Sequence, residues 1–195
     1  PTDAKKKCRS AEFRVNGKSV RIGCSAKGAG MIEPGMATML CFITSDVAMP
    51  KPLLQKTLSE AVSLSFNRIT VDGDMSTNDS VVLLANGRSG IRIQSEKDQG
   101  YEEFRQSLTR ICQEIAMAIV EDGEGATKIL KVTVEGAQTE KDAMEVCRSI
   151  GNSMLFKCSL FGESPDWGRI LSSVGATKAK INFQKFKASF QGVVF

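Results

Sequence analysis

Apolar and polar positions alternate near the start of the chain, a pattern typical of strands. The alternation predicts strands over Glu12–Val15 and Lys18–Cys24, separated by Asn16-Gly17. Because Asn-Gly readily supplies the two positive φ angles of a tight turn, these strands should form a hairpin. A mostly apolar run from Thr38 to Thr44 predicts a buried strand after them.

Two later segments carry apolar residues at the three-to-four spacing of a helix. The first predicted helix is Pro52–Phe66, and the second is Tyr101–Val120, which Gly123 can close. The apolar stripe of the second helix consists of Phe104, Leu108, Ile111, Ile115 and Ile119. Each helix should therefore bury one face.

The rest of the chain mixes both periods. Alternation predicts a strand at Ile129–Gly136, and Thr139 with Asp142 resembles a capping box that starts a helix. Ser164 before Pro165 predicts the cap of a last helix. Further strands are predicted at Ile69–Val71, Ser80–Ala85, Met154–Leu160, Lys180–Phe183 and Ala188–Phe195. Helices and strands that interleave in this way predict a mixed α/β class, α+β included.

The composition is that of an ordinary globular protein. Of 195 residues, 42% are apolar and 25% are charged, and the length corresponds to one large domain or two small ones. No apolar run approaches the ~18 residues of a membrane span, so no membrane partner is expected. Because the chain opens on Pro1 and ends on an apolar tail, we expect a fragment of a longer protein.

Histidine is absent from the sequence. Its absence excludes a Ser-His-Asp triad, a Cys-His pair and any zinc site with histidine ligands. The six cysteines lack the C-x-x-C spacing of a metal knuckle or redox motif, which favours reduced structural thiols. We therefore expect no metal, and any catalytic base must be a carboxylate, a lysine, another amine or water.

Three patterns associated with nucleotides or nucleic acids fail on inspection. Gly17-Lys18-Ser19 lacks the P-loop glycine five residues earlier, where Glu12 stands. Gly28-Ala29-Gly30 lacks the third glycine of a dinucleotide fingerprint, where Glu33 stands. The basic run Lys5-Lys6-Lys7 has no aromatic cluster beside it, so nucleic acid is not expected as a partner.

A glycine-rich stretch leads into Thr38, which opens a predicted strand. A threonine hydroxyl needs a base beside it to act as a nucleophile. Cleavage of the Ala37–Thr38 bond would supply one, because the freed α-amine titrates near ~8 and lies on the same residue. The same hydroxyl could make that cut by attacking the Ala37 carbonyl. The alternative is that Thr38 is an ordinary strand-forming residue.

Four segments together carry a family resemblance: Lys27–Leu40, Ser65–Ser80 (SFNRITVDGDMSTNDS), Glu124–Lys128 (EGATK) and Ser164–Arg169 (SPDWGR). In this order they resemble four signatures of the ornithine acetyltransferase family of arginine biosynthesis, the bifunctional glutamate N-acetyltransferases. The last segment departs from the family's Asp-Pro-Asn-Trp-Gly-Arg at Ser164 and Asp166. The chain is therefore identified as similar to a catalytic-core fragment that spans the family's autocleavage site.

The resemblance implies a layered α/β/β/α fold like that of N-terminal-nucleophile hydrolases. It also implies self-cleavage before Thr38, which makes residues 1–37 the tail of an alpha chain and residues 38–195 most of a beta chain. The freed threonine would take the acetyl group from N-acetylornithine, release ornithine and pass the acetyl group to glutamate. No cofactor is implied, although some members accept acetyl-CoA as donor.

The resemblance further implies that the alpha and beta chains stay associated and assemble into a higher homo-oligomer. The compartment would be the cytoplasm in a bacterium and the mitochondrion or plastid in a eukaryote.

The resemblance also assigns individual residues. Thr38 matches the nucleophile, while Lys27 and Glu124 match substrate-binding residues whose charges suit the carboxylate and the ammonium of an amino acid. Thr2 is a weak substitute for a threonine contact that falls on Pro1. The family's oxyanion-hole Thr-Gly pair lies before Pro1, so the 195 residues alone are expected to be inactive.

Two alternatives remain open. An amide hydrolase or aminopeptidase could use the same N-terminal threonine, with water accepting the acyl group. A non-catalytic amino-acid-binding fragment would keep the Ala37–Thr38 bond intact.

Overall fold

The computed structural model of the protein describes residues 3–33, 39–164 and 166–194. The chain divides into two compact units, Pro1–Ala126 and Thr127–Phe195. In the described part of the chain, no helix has both the length and the apolar content that crossing a bilayer requires.

The first unit contains a four-stranded sheet in the order β1-β2-β3-β4. The strands are β1 (Lys7–Val15), β2 (Lys18–Lys27), β3 (Leu40–Ser45) and β4 (Ser80–Ala85). The first two pairs are antiparallel, whereas β3 and β4 run parallel. A parallel pair needs a crossover connection, and here helix α1 lies within that connection.

The β1–β2 connection is the predicted Asn-Gly hairpin. Val15 pairs with Lys18, and the two turn residues have positive φ, +51° at Asn16 and +76° at Gly17. Both residues adopt the left-handed region that Asn and Gly tolerate best, which confirms the sequence prediction.

Two helices, α1 (Lys51–Ser63) and α2 (Tyr101–Glu121), pack on each other and on the sheet. The predicted stripe of α2 is completely buried: Phe104, Leu108, Ile111, Ile115 and Ile119 are each 0% exposed. Each such side chain contributes roughly 1.5–3 kcal/mol by leaving water. This burial fixes α2, and the loop that follows it, against the strands.

The second unit is mainly helical. It contains α3 (Glu140–Gly151), α4 (Met154–Phe161), α5 (Trp167–Gly175) and a short hairpin of β5 (Ser189–Phe190) with β6 (Val193–Val194). Its core consists of Val146, Ile150, Phe156, Ile170 and Val174. Thr139 caps α3 as predicted, since its side chain accepts a hydrogen bond from the amide of Asp142.

The prediction of a strand at Met154–Leu160 is wrong, because this segment forms α4. Ser153 caps it by accepting a hydrogen bond from the Phe156 amide. A short apolar run has no clear period, so this local cap decides between helix and strand. The predicted cap at Ser164 is also wrong, since α5 begins at Trp167 with Asp166 in the capping position.

Three predicted strands form no strand in the described structure: Ile69–Val71, Ile129–Gly136 and Lys180–Phe183. The alternation within Ile129–Gly136 is nevertheless present, with Leu130, Val132 and Val134 partly buried against the second core. Alternation thus indicates a segment with one buried face, while a strand also needs a neighbouring strand to which its backbone can hydrogen-bond.

Candidate active site

The predicted nucleophile lies outside the described residues, as do Ala37 and Thr2. Lys27 and Glu124 are described, and both are exposed at the surface of the first unit. The structure therefore describes only the segments before and after the predicted cleavage bond. These are Met39 on one side and residues 28–33, here called the glycine loop, on the other.

On the first flank, an aspartate holds the backbone next to Thr38. The Met39 amide donates a hydrogen bond to Oδ1 of Asp79 at 2.6 Å, and the Ser80 amide donates one to the Met39 carbonyl at 3.0 Å. These bonds lie directly before the first pair of the parallel β3–β4 register, Leu40 with Ser80. The position of Met39, whose nitrogen is bonded to the carbonyl carbon of Thr38, is thereby fixed.

Lys27 belongs to the same end of the sheet. It is the last residue of β2 and pairs with Leu40, the first residue of β3. Burial raises the pKa of the Asp79 carboxyl above its ordinary value, against the opposing effects of the Met39 amide and the Lys27 charge. The strand register places Lys27 near Asp79, since Lys27 pairs with Leu40 and Leu40 pairs with Ser80, the residue after Asp79.

On the second flank, Asp72 holds the glycine loop. Its Oδ2 accepts the Met31 amide at 2.6 Å and its Oδ1 accepts the Ile32 amide at 3.1 Å. Met31 has a left-handed φ of +51°, an unfavourable conformation for a side chain of this type. Two charge-assisted bonds to successive amides can stabilise that conformation.

Glu124 lies directly against the glycine loop. Its amide donates to the Ala29 carbonyl at 2.8 Å. A Cβ placed on Gly30 would lie 2.9 Å from Oε2 of Glu124 and 3.6 Å from Oδ2 of Asp72. Glycine at this position therefore leaves the space that the Glu124 carboxylate occupies.

The structure thus brings both described site residues to the same glycine loop. Lys27 precedes the loop at the end of β2, while Glu124 is bonded to the loop at Ala29. A cation and a carboxylate, both exposed, can bind a small ligand that carries a carboxylate and an ammonium group. Asp79 and Asp72, which the sequence left without a role, position the backbone on either side of Thr38.

A cavity of about 370 Å³ adjoins this region. Its described lining includes Met39 and Asp79 together with residues of α1, but neither Lys27 nor Glu124. The cavity therefore shares one wall with the candidate site and is not the space between the two expected ligand-binding charges.

Among the buried cysteines of this unit, Cys112 does not offer an alternative nucleophile. Cys24, Cys41 and Cys112 are buried and unpaired by disulfides. Burial raises the pKa of the Cys112 thiol to about 12, which disfavours the reactive thiolate.

Comparison with known proteins yields a family match and several relatives. The model described as the ArgJ family matches residues 1–195. A glutamate N-acetyltransferase of Methanocaldococcus jannaschii is 51% identical over 183 residues, which are 93% of this chain and 44% of the relative. The mitochondrial arginine biosynthesis bifunctional protein ArgJ of Schizosaccharomyces japonicus is 47% identical over 189 residues, 97% of this chain and 43% of the relative.

A solved structure is also similar. The crystal structure of the arginine biosynthesis bifunctional protein ArgJ from Bacillus halodurans matches with a TM-score of 0.69 and 37% identity. The match covers 72% of this chain and 66% of that one, and it confirms the predicted fold class. The chain spans less than half the length of the curated relatives described above.

Proposed function

Since the chain belongs to the ArgJ family, we propose that the protein containing it is an acetyltransferase of arginine biosynthesis. It moves the acetyl group from N-acetylornithine to glutamate. The observation that carries this proposal is the arrangement around the glycine loop. Lys27 directly precedes the glycine loop and Glu124 is bonded to it at Ala29, so a cation and an anion that suit the carboxylate and the ammonium of an amino acid lie at the same loop.

The active threonine is produced by self-cleavage. Thr38 Oγ attacks the Ala37 carbonyl carbon, and the acyl group moves from nitrogen to oxygen. Water then hydrolyses this ester, which leaves a carboxylate on Ala37 and a free α-amine on Thr38. Asp79 supports this chemistry, because its 2.6 Å hydrogen bond fixes the Met39 amide next to the proposed nucleophile in the sequence.

Acetyl transfer then proceeds in two steps. The α-amine of Thr38 accepts the hydroxyl proton while Oγ attacks the acetyl carbonyl of N-acetylornithine, and the proton passes to the leaving amine of ornithine. The amine of glutamate attacks the resulting acetyl ester and restores the threonine hydroxyl. Acetyl-CoA would enter the same sequence as a thioester donor.

Assembly and compartment follow from the same proposal. The two products of cleavage, residues 1–37 and residues 38–195 with their continuations, stay associated in a higher homo-oligomer. The protein acts in the cytoplasm of a bacterium, or in the mitochondrion or plastid of a eukaryote.

The direct test uses the full-length protein with N-acetylornithine and glutamate, and follows both products by mass spectrometry. We expect equal amounts of ornithine and N-acetylglutamate, from a protein whose intact mass shows two chains that meet between Ala37 and Thr38. Acetate released at the same rate without glutamate would instead identify a hydrolase. An uncut chain that binds ornithine without turnover would identify a binding protein. Replacing N-acetylornithine by acetyl-CoA tests the second donor.

Gly30→Ala should raise the KM for N-acetylornithine about tenfold, because the new Cβ would meet the Glu124 carboxylate at 2.9 Å. The carboxylate can swing away on its flexible side chain, and Gly30 has no positive φ, so the thermal midpoint should change little. Steady-state kinetics and thermal unfolding measure the two effects. Gly175→Ala is the control, since nothing lies within 4 Å of a Cβ at that position. An unchanged KM in Gly30→Ala would show that binding does not need this Glu124 position.

A further inference from the structure

A lysine is completely buried at the start of β1. The Lys7 side chain is 0% exposed, although Lys5 and Lys6 beside it are exposed. Its ammonium donates to Oδ1 of Asp3 at 2.6 Å, to Oδ2 of Asp122 at 2.5 Å and to the Lys5 carbonyl at 3.3 Å. These three acceptors match the three protons of an ammonium group, so the buried charge is fully satisfied.

Each of the two carboxylates also binds the backbone. Oδ2 of Asp122 accepts the amides of Ala4 and Lys5, both at 3.0 Å. Oδ2 of Asp3 accepts the amide of Gly28 at 2.8 Å. Gly28 has a φ of +150°, so an L side chain would strain the backbone at the residue that Asp3 holds.

Together, these hydrogen bonds form a closed series of contacts, here called the ring, that includes the immediate neighbours of the two expected ligand-binding residues. Asp3 joins Lys7 to Gly28, the residue directly after Lys27. On the other side, Asp122 joins Lys7 to the end of α2, two residues before Glu124. The ring is completed where the Glu124 amide donates to the Ala29 carbonyl.

We propose that Lys7 is a positioning residue for the substrate site: through Asp3 and Asp122 it sets the distance and orientation between Lys27 and Glu124. This inference rests on the proposed function, because it assumes that Lys27 and Glu124 bind the substrate. Lys7 does not touch the substrate itself, since its side chain has no exposed surface.

The ionic character of the ring is consistent with positioning. A buried ion pair is often no more stabilising than apolar residues of the same volume, because removing both charges from water opposes the attraction between them. An apolar side chain, however, cannot replace three directional hydrogen bonds, one of which joins the start of β1 to the end of α2. Burial alone would lower the pKa of Lys7, but its hydrogen bonds to Asp122 and Asp3 outweigh burial and raise the pKa of Lys7 above its ordinary value. The same hydrogen bond from Lys7 lowers the pKa of Asp122 to about 2. The pair therefore stays ionised near neutral pH.

The test compares three variants of the full-length protein: Lys7→Met, Asp3→Ala and Lys6→Met. Asp3→Ala removes the Asp3 carboxylate, with its bonds to Lys7 and Gly28, but leaves the Lys7–Asp122 pair. The Asp3 side chain is 34% exposed, so this variant should fold even if Lys7→Met does not. Lys6→Met removes an exposed charge at the adjacent position and serves as the control. Each protein is titrated with ornithine by calorimetry and assayed for self-cleavage, acetyl transfer and thermal unfolding.

We expect Asp3→Ala, and Lys7→Met where it folds, to weaken ornithine binding and to raise the KM for N-acetylornithine about tenfold or more. The kcat and the self-cleavage should change less than about twofold, and Lys6→Met should match the wild type. Unchanged dissociation constants in Asp3→Ala, or a loss of kcat that follows the thermal midpoint while KM stays constant, would overturn the positioning role. Absence of acetyl transfer in the wild type would overturn the proposed function, and the ornithine titrations would still decide the role of Lys7.

Discussion

Replacing Thr38 by alanine should leave the full-length protein as one uncut chain and should lower acetyl transfer by at least about a thousandfold. One hydroxyl is expected to serve both reactions, since it attacks the Ala37 carbonyl during cleavage and the acetyl carbonyl during catalysis. The chain contains no histidine that could activate another hydroxyl in its place. Intact mass spectrometry measures the cut, and the same spectra detect the acetyl ester.

Two control variants separate the chemistry from the fold in this experiment. Thr38→Ser keeps a hydroxyl at the same position, so it should still cleave and transfer, at reduced rates. Thr133→Ala removes a threonine from an exposed position of the second unit and should behave like the wild type. If Thr38→Ala still cleaves between residues 37 and 38, the proposed self-cleavage mechanism is wrong.

Local rules predicted the parts of the fold whose signals lie within a few residues. The Asn-Gly turn, the buried stripe of α2 and the Thr139 cap are each determined by neighbours at most four positions apart, and the structure confirms all three. The prediction of a strand at Met154–Leu160 failed because a short apolar run fits either period, and the residue that caps the helix, Ser153, lies just outside the run.

The candidate site was accessible from the sequence only through the family resemblance. Lys27 and Glu124 are ordinary surface charges by composition. The aspartates that organise them act over long separations: Asp72 binds the Met31 amide 41 positions away, and Asp79 binds that of Met39 from 40 positions away. The spacing of apolar and polar residues along the chain does not predict hydrogen bonds between residues so far apart in sequence. One signal was present, since the alternation that points Ala11 and Val15 inward on β1 also points Lys7 inward.

Burial of Lys7 also changes the meaning of the basic run at residues 5–7. Lys5 and Lys6 are exposed, but Lys7 is buried and forms ion pairs with Asp3 and Asp122. The run is therefore not a continuous basic patch at the surface.

A common device holds the backbone on both sides of the predicted cleavage bond. Asp3 binds the amide of Gly28, Asp72 binds those of Met31 and Ile32, and Asp79 binds that of Met39. Carboxylates acting on backbone amides leave the exposed side chains of Lys27 and Glu124 available to a ligand. The backbones of those two residues are held by the pairing of Lys27 with Leu40 and by the bond from the Glu124 amide to Ala29, and the aspartates hold the segments next to them.

Glu124→Gln should raise the KM for N-acetylornithine about a hundredfold, because the change removes the negative charge expected to bind the side-chain ammonium of the substrate. Glutamine has nearly the same volume, and the Glu124 amide still donates to Ala29, so the glycine loop should keep its conformation. Self-cleavage does not need the substrate ammonium and should proceed normally. Glu121→Gln, an exposed position at the end of α2, is the matched control.

The same variant distinguishes the two half-reactions. Glutamate has no side-chain ammonium, so its KM should not rise in Glu124→Gln, and the loss should be confined to the donor step. Single-turnover formation of the acetyl ester from N-acetylornithine, followed by a chase with glutamate, measures each step separately. An equal rise in KM for both substrates would mean that Glu124 binds the α-amino nitrogen region common to both. An unchanged KM for N-acetylornithine would show that Glu124 does not bind the substrate. The lack of a side chain at Gly30 would then no longer be explained by the space that a substrate-binding Glu124 carboxylate needs.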